Sequence, residues 1–333
     1  MSKSTILISG AGIAGPLFAL QILSHAKLAR LFHPILFDRS AHPPLVHTAP
    51  TTGAAIVISP NALHSLYALG LRDAVEAHSA ECATNTLWRA HDAAPSAPAR
   101  FLNRLVAPAW MADVGSGLRV VERSWLGSLL VARFLAAGGD ARWGAKVAGL
   151  EQTARGVALV LAGGARVHGA LAVGADGVWS PVRKALLDGR ARWAPEAVPH
   201  AAVYGISPRP PGRAADVDGR AHVVFTRGGC CSTWALPGGR QFWTAHAAAG
   251  GGAGAAARAI LDQYAAVWHP TAGTFGALFR SAERVGRVAL WQRAWEAHEI
   301  RRWGNAVVVG DAARVMVPAS GQGAWLYRRA GPC

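Results

Sequence analysis

Six residues near the amino end, Gly10-Ala11-Gly12-Ile13-Ala14-Gly15, constrain this chain more than any others. They form a complete G-x-G-x-x-G after residues 5–9, a short apolar run rich in β-branched side chains that reads as a buried parallel strand. Leu17, Leu20, Ile22 and Leu23 then continue an apolar helix to about Leu28, and residues 34–37 read as a second strand ending at Asp38. The first glycine permits a tight turn, the second lets a pyrophosphate approach the backbone, and the third lets helix and strand pack closely. The helix then turns its free N–H groups toward the phosphates.

Asp38 stands 23 positions after Gly15, where a carboxylate bonds a ribose hydroxyl and repels a 2′-phosphate. NADP is therefore disfavoured in this groove, and the motif alone leaves FAD or NAD. Residues 6–23 are apolar enough to imitate a signal peptide or a membrane span. Gly10, Gly12, Gly15 and Pro16 interrupt them, and no clean cleavage site follows, so no stable span is expected. The cysteines at 82, 230, 231 and 333 have neither metal spacing nor a disulfide framework, which fits a cytoplasmic protein without a metal site.

With 333 residues the chain suffices for one large domain or two ordinary ones, and 51% apolar content excludes a disordered protein. Its net charge of +15 comes from Arg spread along the chain, with adjacent pairs only at Arg301-Arg302 and Arg328-Arg329. A nucleic-acid binder concentrates such charge on one stripe, so no nucleic-acid partner is expected.

Two later apolar runs end in the same manner. Residues 171–177 read as a strand running into Asp176-Gly177, with Ser180 capping a helix through Val182, Leu186 and Leu187. Residues 306–311 read as another strand ending in Gly310-Asp311. Each puts a carboxylate at the carboxyl edge of a parallel sheet, where open α/β sheets bind ligands. Arg123 precedes Ser124, a candidate cap for a helix carrying Leu126, Leu130 and Phe134, and its guanidinium would lie near a helix start. Ser59-Pro60-Asn61 with Leu63, Leu66, Leu69 and Gly70 reads as a scaffold helix with its cap, N1 proline and closing glycine.

In this order GAGIAG with FDR after it, GAAIVISPNALHSLYALGL, RVVERSWL, GADGVWSPVRK and GDAARVMVPASGQGA resemble the FAD-dependent aromatic hydroxylases of the para-hydroxybenzoate hydroxylase type, the group A flavoprotein monooxygenases. The resemblance runs from Ile6 to Ala324. It implies an α/β fold: an FAD-binding, Rossmann-like domain of the glutathione reductase type with an inserted antiparallel β-sheet substrate domain. The segmentation it suggests is FAD-binding for 1–75, 101–188 and 299–333, and substrate domain for 76–100 and 189–298. Cofactor contacts are implied for Gly10, Gly12, Ile13, Ala14, Gly15, Asp38, Arg39, Arg123, Asp176, Asp311, Gly321, Gln322, Gly323 and Ala324. Asp311 would meet the ribityl chain and Asp176 the flavin phosphate and NADPH. Pro318 would wall the ring, and Gly321-Gln322-Gly323 would offer it backbone N–H groups.

The implied activity is hydroxylation or epoxidation of an aromatic or polycyclic apolar small molecule through a flavin C4a-hydroperoxide, with NADPH or NADH as reductant, by a monomer or homodimer. Arg314 stands where the family usually has His, a fixed charge that would alter access to the ring and makes it, with Pro318, a candidate catalytic position. After Ala324 the family continues with a further helix, whereas this chain reads WLYRRAGPC, as expected of a truncated or altered end. The rival reading is a flavoprotein remnant that binds FAD weakly and does not turn over.

Between these motifs, residues 145–167 read as appended antiparallel strands, and residues 203–207, 222–226, 232–236 and 241–246 as strands of the substrate domain, with Gly238-Gly239 as a hairpin turn. Residues 255–268 read as a helix. Tyr204, His222 and His246 could serve as a base for a phenol, and Trp234 and Trp243 could line a pocket, although all five also suit ordinary strand positions.

Overall fold

Ser4–Ser9 forms the centre of a parallel sheet, as its β-branched run requires, with Phe32–Phe37 on one side and Leu171–Gly174 on the other. The computed structural model describes residues 3–44, 54–106, 117–189, 191–210, 220–248, 257–300 and 303–317. It divides into two units, one of residues 1–49, 124–196 and 291–333, the other of 50–123 and 197–290.

In the first unit the parallel sheet has the order Ala306–Val308, Leu171–Gly174, Ser4–Ser9, Phe32–Phe37, Asp140–Arg142. Leu7, Phe37, Ala172 and Val308 meet Val182 and Leu186 of the helix Pro181–Leu186 in one core. Leu150, Val157 and Leu159 join it from a three-stranded antiparallel sheet of Val147–Thr153, Gly156–Leu161 and Arg166–Gly169. The apolar helix beginning at Ala14 stops at Ser24, short of the expected Leu28. His25 is extended there, and its Nδ1 accepts the N–H of Leu28 at 3.4 Å, so the imidazole caps a second helix, Ala26–Leu31.

Local caps follow the sequence in part. Ser180 Oγ accepts the Arg183 N–H at 2.9 Å. Ser124 is no cap: the helix Arg123–Ala136 has already begun, and the Ser124 carbonyl accepts from Ser128 Oγ at 2.9 Å. Ser59 makes no side-chain cap to Pro60–Ala68 because its hydroxyl engages Asn61, while its carbonyl accepts from Ala62 and Leu63.

In the second unit an extended sheet runs, in order, through Arg284–Ala294 (its first part), Glu196–Pro208, Arg240–Ala248, Gly229–Leu236, Arg220–Thr226, Thr84–Arg89 and Arg100–Val106. Gly238 and Gly239 both have positive φ, +72° and +68°, and close the hairpin between Gly229–Leu236 and Arg240–Ala248. One face of the sheet packs Val203, Val224, Trp243 and Ala245 against helices Ala257–Tyr264 and Phe275–Arg280. The first of these helices is shorter than expected, because Trp268–His269 instead pairs with Gly273–Thr274.

Against the opposite face, Ile206, Leu236 and Phe242 share a cluster with Ala55, Cys82 and Val120. These three come from a small antiparallel sheet of Ala55–Ile58, Leu118–Glu122 and Ser79–Cys82. That shared core joins residues 54–58, 79–82 and 118–122 to the extended sheet of this unit. Among the described residues no helix is long and apolar enough to cross a membrane.

Candidate functional site

The carboxyl ends of the parallel strands are level, since Ser9 is paired with both Gly174 and Phe37, and Gly174 with Val308. The backbone stitches the loops beyond them: Gly10 N–H donates to the Phe37 carbonyl at 2.8 Å, Ala175 to Ser9 at 2.7 Å, and Val309 to Gly174 at 2.8 Å. Asp38, Asp176 and Asp311 therefore stand at one edge, just past the strand ends.

Steric limits explain why the loop of residues 10–15 is glycine-rich. Gly10 has φ +101°, and a Cβ on it would lie 2.4 Å from the Ala175 carbonyl oxygen. A Cβ on Gly15 would lie 2.0 Å from the Gly10 carbonyl oxygen. Two other segments close on the same loop. Gly310 (φ +60°) sits where a Cβ would be 3.0 Å from Ala14 Cβ, and Gly127 of the helix Arg123–Ala136 where one would be 3.3 Å from the Gly12 carbonyl oxygen. Gly12 itself is exposed, as a backbone meant for close approach by a ligand must be. Ile13 and Ala14 open the helix Ala14–Ser24, where Ile13 makes no side-chain cap.

Asp38 is oriented by its surroundings, with Oδ2 accepting the Ala11 N–H and Oδ1 the Ser40 N–H, both at 2.8 Å. Each oxygen keeps acceptor capacity for a hydroxyl. Arg39 beside it is exposed. Asp176 is more enclosed: Oδ2 accepts from Ser9 Oγ at 3.0 Å and from Val182 N–H at 3.5 Å, while Oδ1 is buried without a partner. Burial pushes its carboxyl up, against the nearby Ser180 and Ser9 hydroxyls that hold it down. An orphan acceptor at the ligand edge of a sheet is a place for a donor. Asp311 is exposed in the turn Gly310–Ala312.

Arg123 opens its helix, and its own N–H donates to the Ala54 carbonyl at 3.1 Å. Arg314 is exposed and lines an open depression with Arg192, Glu196, Gln292 and Arg293. Pro318, Gly321, Gln322, Gly323 and Ala324 lie outside the described residues.

One residue that sequence reasoning missed ties the edge together. Arg183 is 0% exposed. It donates from Nε to the Trp193 carbonyl at 2.9 Å, from Nη1 to Ala312 at 2.8 Å and Asp311 at 3.4 Å, and from Nη2 to Val178 at 2.5 Å. Its guanidinium also lies 4.0 Å over the Trp295 ring. Burial pushes it down to about 10, with Asp176 opposing the shift. The available signal was an Arg one turn after a capped Ser-Pro, on the buried stripe with Val182 and Leu186.

In the second unit the parity of the strands separates the aromatic and histidine candidates. His222 and Trp243 sit on the helix-covered face. Trp243 is fully buried with Nε1 donating to Ser207 Oγ at 2.9 Å, and His222 Nδ1 accepts from Trp88 Nε1 at 3.3 Å. Burial, then Arg220 and Arg104, pushes His222 down to about 4. Tyr204, Trp234 and His246 lie on the other face, where Tyr204 pairs with Thr244 and Trp234 with Phe242.

Residues 3–326 match the family described as the FAD binding domain. No curated protein sequence matches the chain significantly. Among solved structures, HpxO of Klebsiella pneumoniae complexed with FAD and uric acid has a TM-score of 0.75 at 19% identity, covering 96% of this chain and 76% of that one. For 2,6-dihydroxypyridine-3-hydroxylase from Arthrobacter nicotinovorans the values are 0.73, 18%, 97% and 80%. For CtdE in complex with FAD they are 0.70, 14%, 97% and 81%. At these identities the likeness is one of fold.

Proposed function

The chain belongs to the FAD binding domain family, and from that premise we propose that it is an FAD-dependent monooxygenase that uses NADPH or NADH and oxygen to hydroxylate or epoxidise an aromatic or polycyclic apolar molecule. The observation that carries the reading is the closure of four separate segments, at Asp38, Gly127, Ala175 and Gly310, onto the loop of residues 10–15.

When bound, FAD supplies hydride acceptance and oxygen activation. The protein binds and orients. Gly10, Gly12 and Gly15 would let a pyrophosphate approach the backbone, with Ile13 and Ala14 at the start of the helix that faces it. Asp38 accepts the ribose hydroxyls, and Arg39 and Arg123 supply positive charge for the phosphates. Asp311 takes a hydroxyl of the ribityl chain, and Asp176, through its orphan Oδ1, takes a donor from the flavin or the nicotinamide nucleotide. Gly321, Gln322, Gly323 and Ala324 would hold the ring, and Pro318 and Arg314 would set access to it. We place the protein in the cytoplasm as a monomer or homodimer.

The test is to purify the chain with added FAD, record the flavin spectrum and follow NADPH and NADH oxidation across an aromatic panel. Bound flavin, substrate-stimulated oxidation and a product one oxygen atom heavier are expected. Colourless protein that cannot be reconstituted contradicts the proposal.

A further inference from the structure

A solvent-facing indole stands near the ligand edge of the first unit. Trp179 follows Asp176-Gly177-Val178 and is 49% exposed. The chain on either side of it is pinned: the Val178 carbonyl accepts from the buried Arg183, and the buried Ser180 caps the helix Pro181–Leu186. Two further indoles brace it in T-shaped contacts, Trp291 with ring centroids 4.8 Å apart and Trp193 with centroids 6.2 Å apart. A large ring that stays exposed yet is held in place loses little freedom when a planar ligand stacks on it.

The bracing residues Trp193 and Trp291 adjoin Arg192 and Gln292, which line the depression beside Arg314. It measures about 680 Å³ and has an apolar side of Val315, Met316 and Val317. Its charge is one-sided, with the three guanidiniums of Arg192, Arg293 and Arg314 against the single carboxylate of Glu196. Arg293 is committed to Glu196. Arg192 reaches Glu299 only at 3.5 Å with its side chain 69% exposed, a pair that water and salt screen. Arg314 makes no ion pair among the described residues. Lys184 Nζ, 5.1 Å from the Trp193 ring centroid, adds a fourth cation on the same border. Guanidiniums grip a phosphate through paired N–H groups, so the chemistry of this border is that of a phosphate site.

We propose that Trp179 and this depression bind the adenosine end of NADPH, with the adenine stacked on the indole and the 2′-phosphate held by Arg192 and Arg314, so that NADPH is preferred to NADH. The inference rests on the monooxygenase reading, in which FAD fills the glycine loop of residues 10–15, and adds to it the site and the choice of reductant. Two nucleotides cannot share that groove, and Asp38 repels a 2′-phosphate there. On the arginine border the same phosphate exchanges its hydration for charge-assisted hydrogen bonds, whereas NADH brings only a neutral hydroxyl to those cations.

Calorimetric titration of the full chain, saturated with FAD, against 2′,5′-ADP and 5′-AMP tests the assignment, since the two probes share a base and differ in the 2′-phosphate. Wild type is expected to bind 2′,5′-ADP about tenfold or more tighter, a preference that shrinks as salt is raised. Arg192→Gln, which gives up only the exposed pair with Glu299, is expected to remove most of that preference and to leave 5′-AMP unchanged. Trp179→Ala is expected to weaken both probes about tenfold, the scale of one base stacked on one ring, and Trp179→Phe to restore most of the loss. Equal affinities in wild type overturn the inference, as does unaltered binding of both probes by folded Trp179→Ala. A chain that takes up FAD and binds neither probe sinks the nucleotide site and leaves the monooxygenase reading standing. A chain that takes up no flavin, yet binds 2′,5′-ADP in a manner lost in Trp179→Ala, sinks the monooxygenase reading and keeps the site.

Discussion

The two units hold their polar groups at the candidate sites by opposite means. At the edge of the parallel sheet the backbone does it: carbonyls and N–H groups fix Asp38 and Arg183, and glycines sit where a single added carbon would collide. In the antiparallel sheet the side chains do it, through Ser232, Thr244 and His246 on one face and Trp88, His222 and His269 on the other. The first arrangement is intolerant of shape change. The second is tolerant of shape and sensitive to protons.

The contrast sets the order of expected effects. Arg183→Ala strands the buried carbonyls of Val178, Trp193 and Ala312 and removes the layer over Trp295; a loss of about 3–5 kcal/mol is expected in urea unfolding. Gly15→Ala forces its Cβ against the Gly10 carbonyl and should cost about 3 kcal/mol together with FAD uptake. Its foil is Gly163→Ala, where nothing lies within 4 Å and a change below about 0.5 kcal/mol is expected. Equal effects of these two glycines would break the comparison.

Acid should act on the second unit instead. Burial holds His222 down to about 4, and His269, buried against Thr233 with the repulsion of His222 added, down to about 3. Between those values and the ordinary 6.5 the unfolded chain binds more protons than the folded one, so stability is complete above about pH 6.5 and is lost as pH falls toward 4. The loss from His222 is about 2–3 kcal/mol by pH 4, and thermal melts from pH 7 to 4 should flatten in His222→Asn, which keeps an acceptor for Trp88. An unchanged slope in that variant would assign the acid sensitivity elsewhere. The smallest of the effects on the first unit is Asp38→Asn, expected to weaken FAD about tenfold with little change in folding, since an amide oxygen still accepts the Ala11 N–H.

The same contrast explains what could be read from the sequence. The glycine loop, Asp38 and the Asp-Gly and Gly-Asp turns were legible because each states a steric or hydrogen-bonding need within a few residues of a strand end. Arg183 was not, because its acceptors at Trp193, Asp311 and Ala312 come from segments up to 129 positions away, and a fully buried guanidinium looks like any Arg in a helix. The faces of Tyr204, His222, Trp234, Trp243 and His246 were not legible either. A shift of one residue in register exchanges the faces, and only the pairing of Tyr204 with Thr244 and of His222 with Thr233 settles the parity. His25 was read as helix interior, since a capping imidazole leaves no trace in hydrophobic periodicity. Pro318 and residues 321–324 lie outside the described residues.

The central claim is that the edge built from Gly10, Gly15, Asp38, Asp176 and Asp311 grips a single FAD. Equilibrium dialysis of the folded full chain against FAD, with flavin and protein quantified in the same sample, tests it most directly. One flavin per chain, lost in Gly15→Ala, is the result the account predicts; a folded wild-type chain that retains no flavin would contradict it.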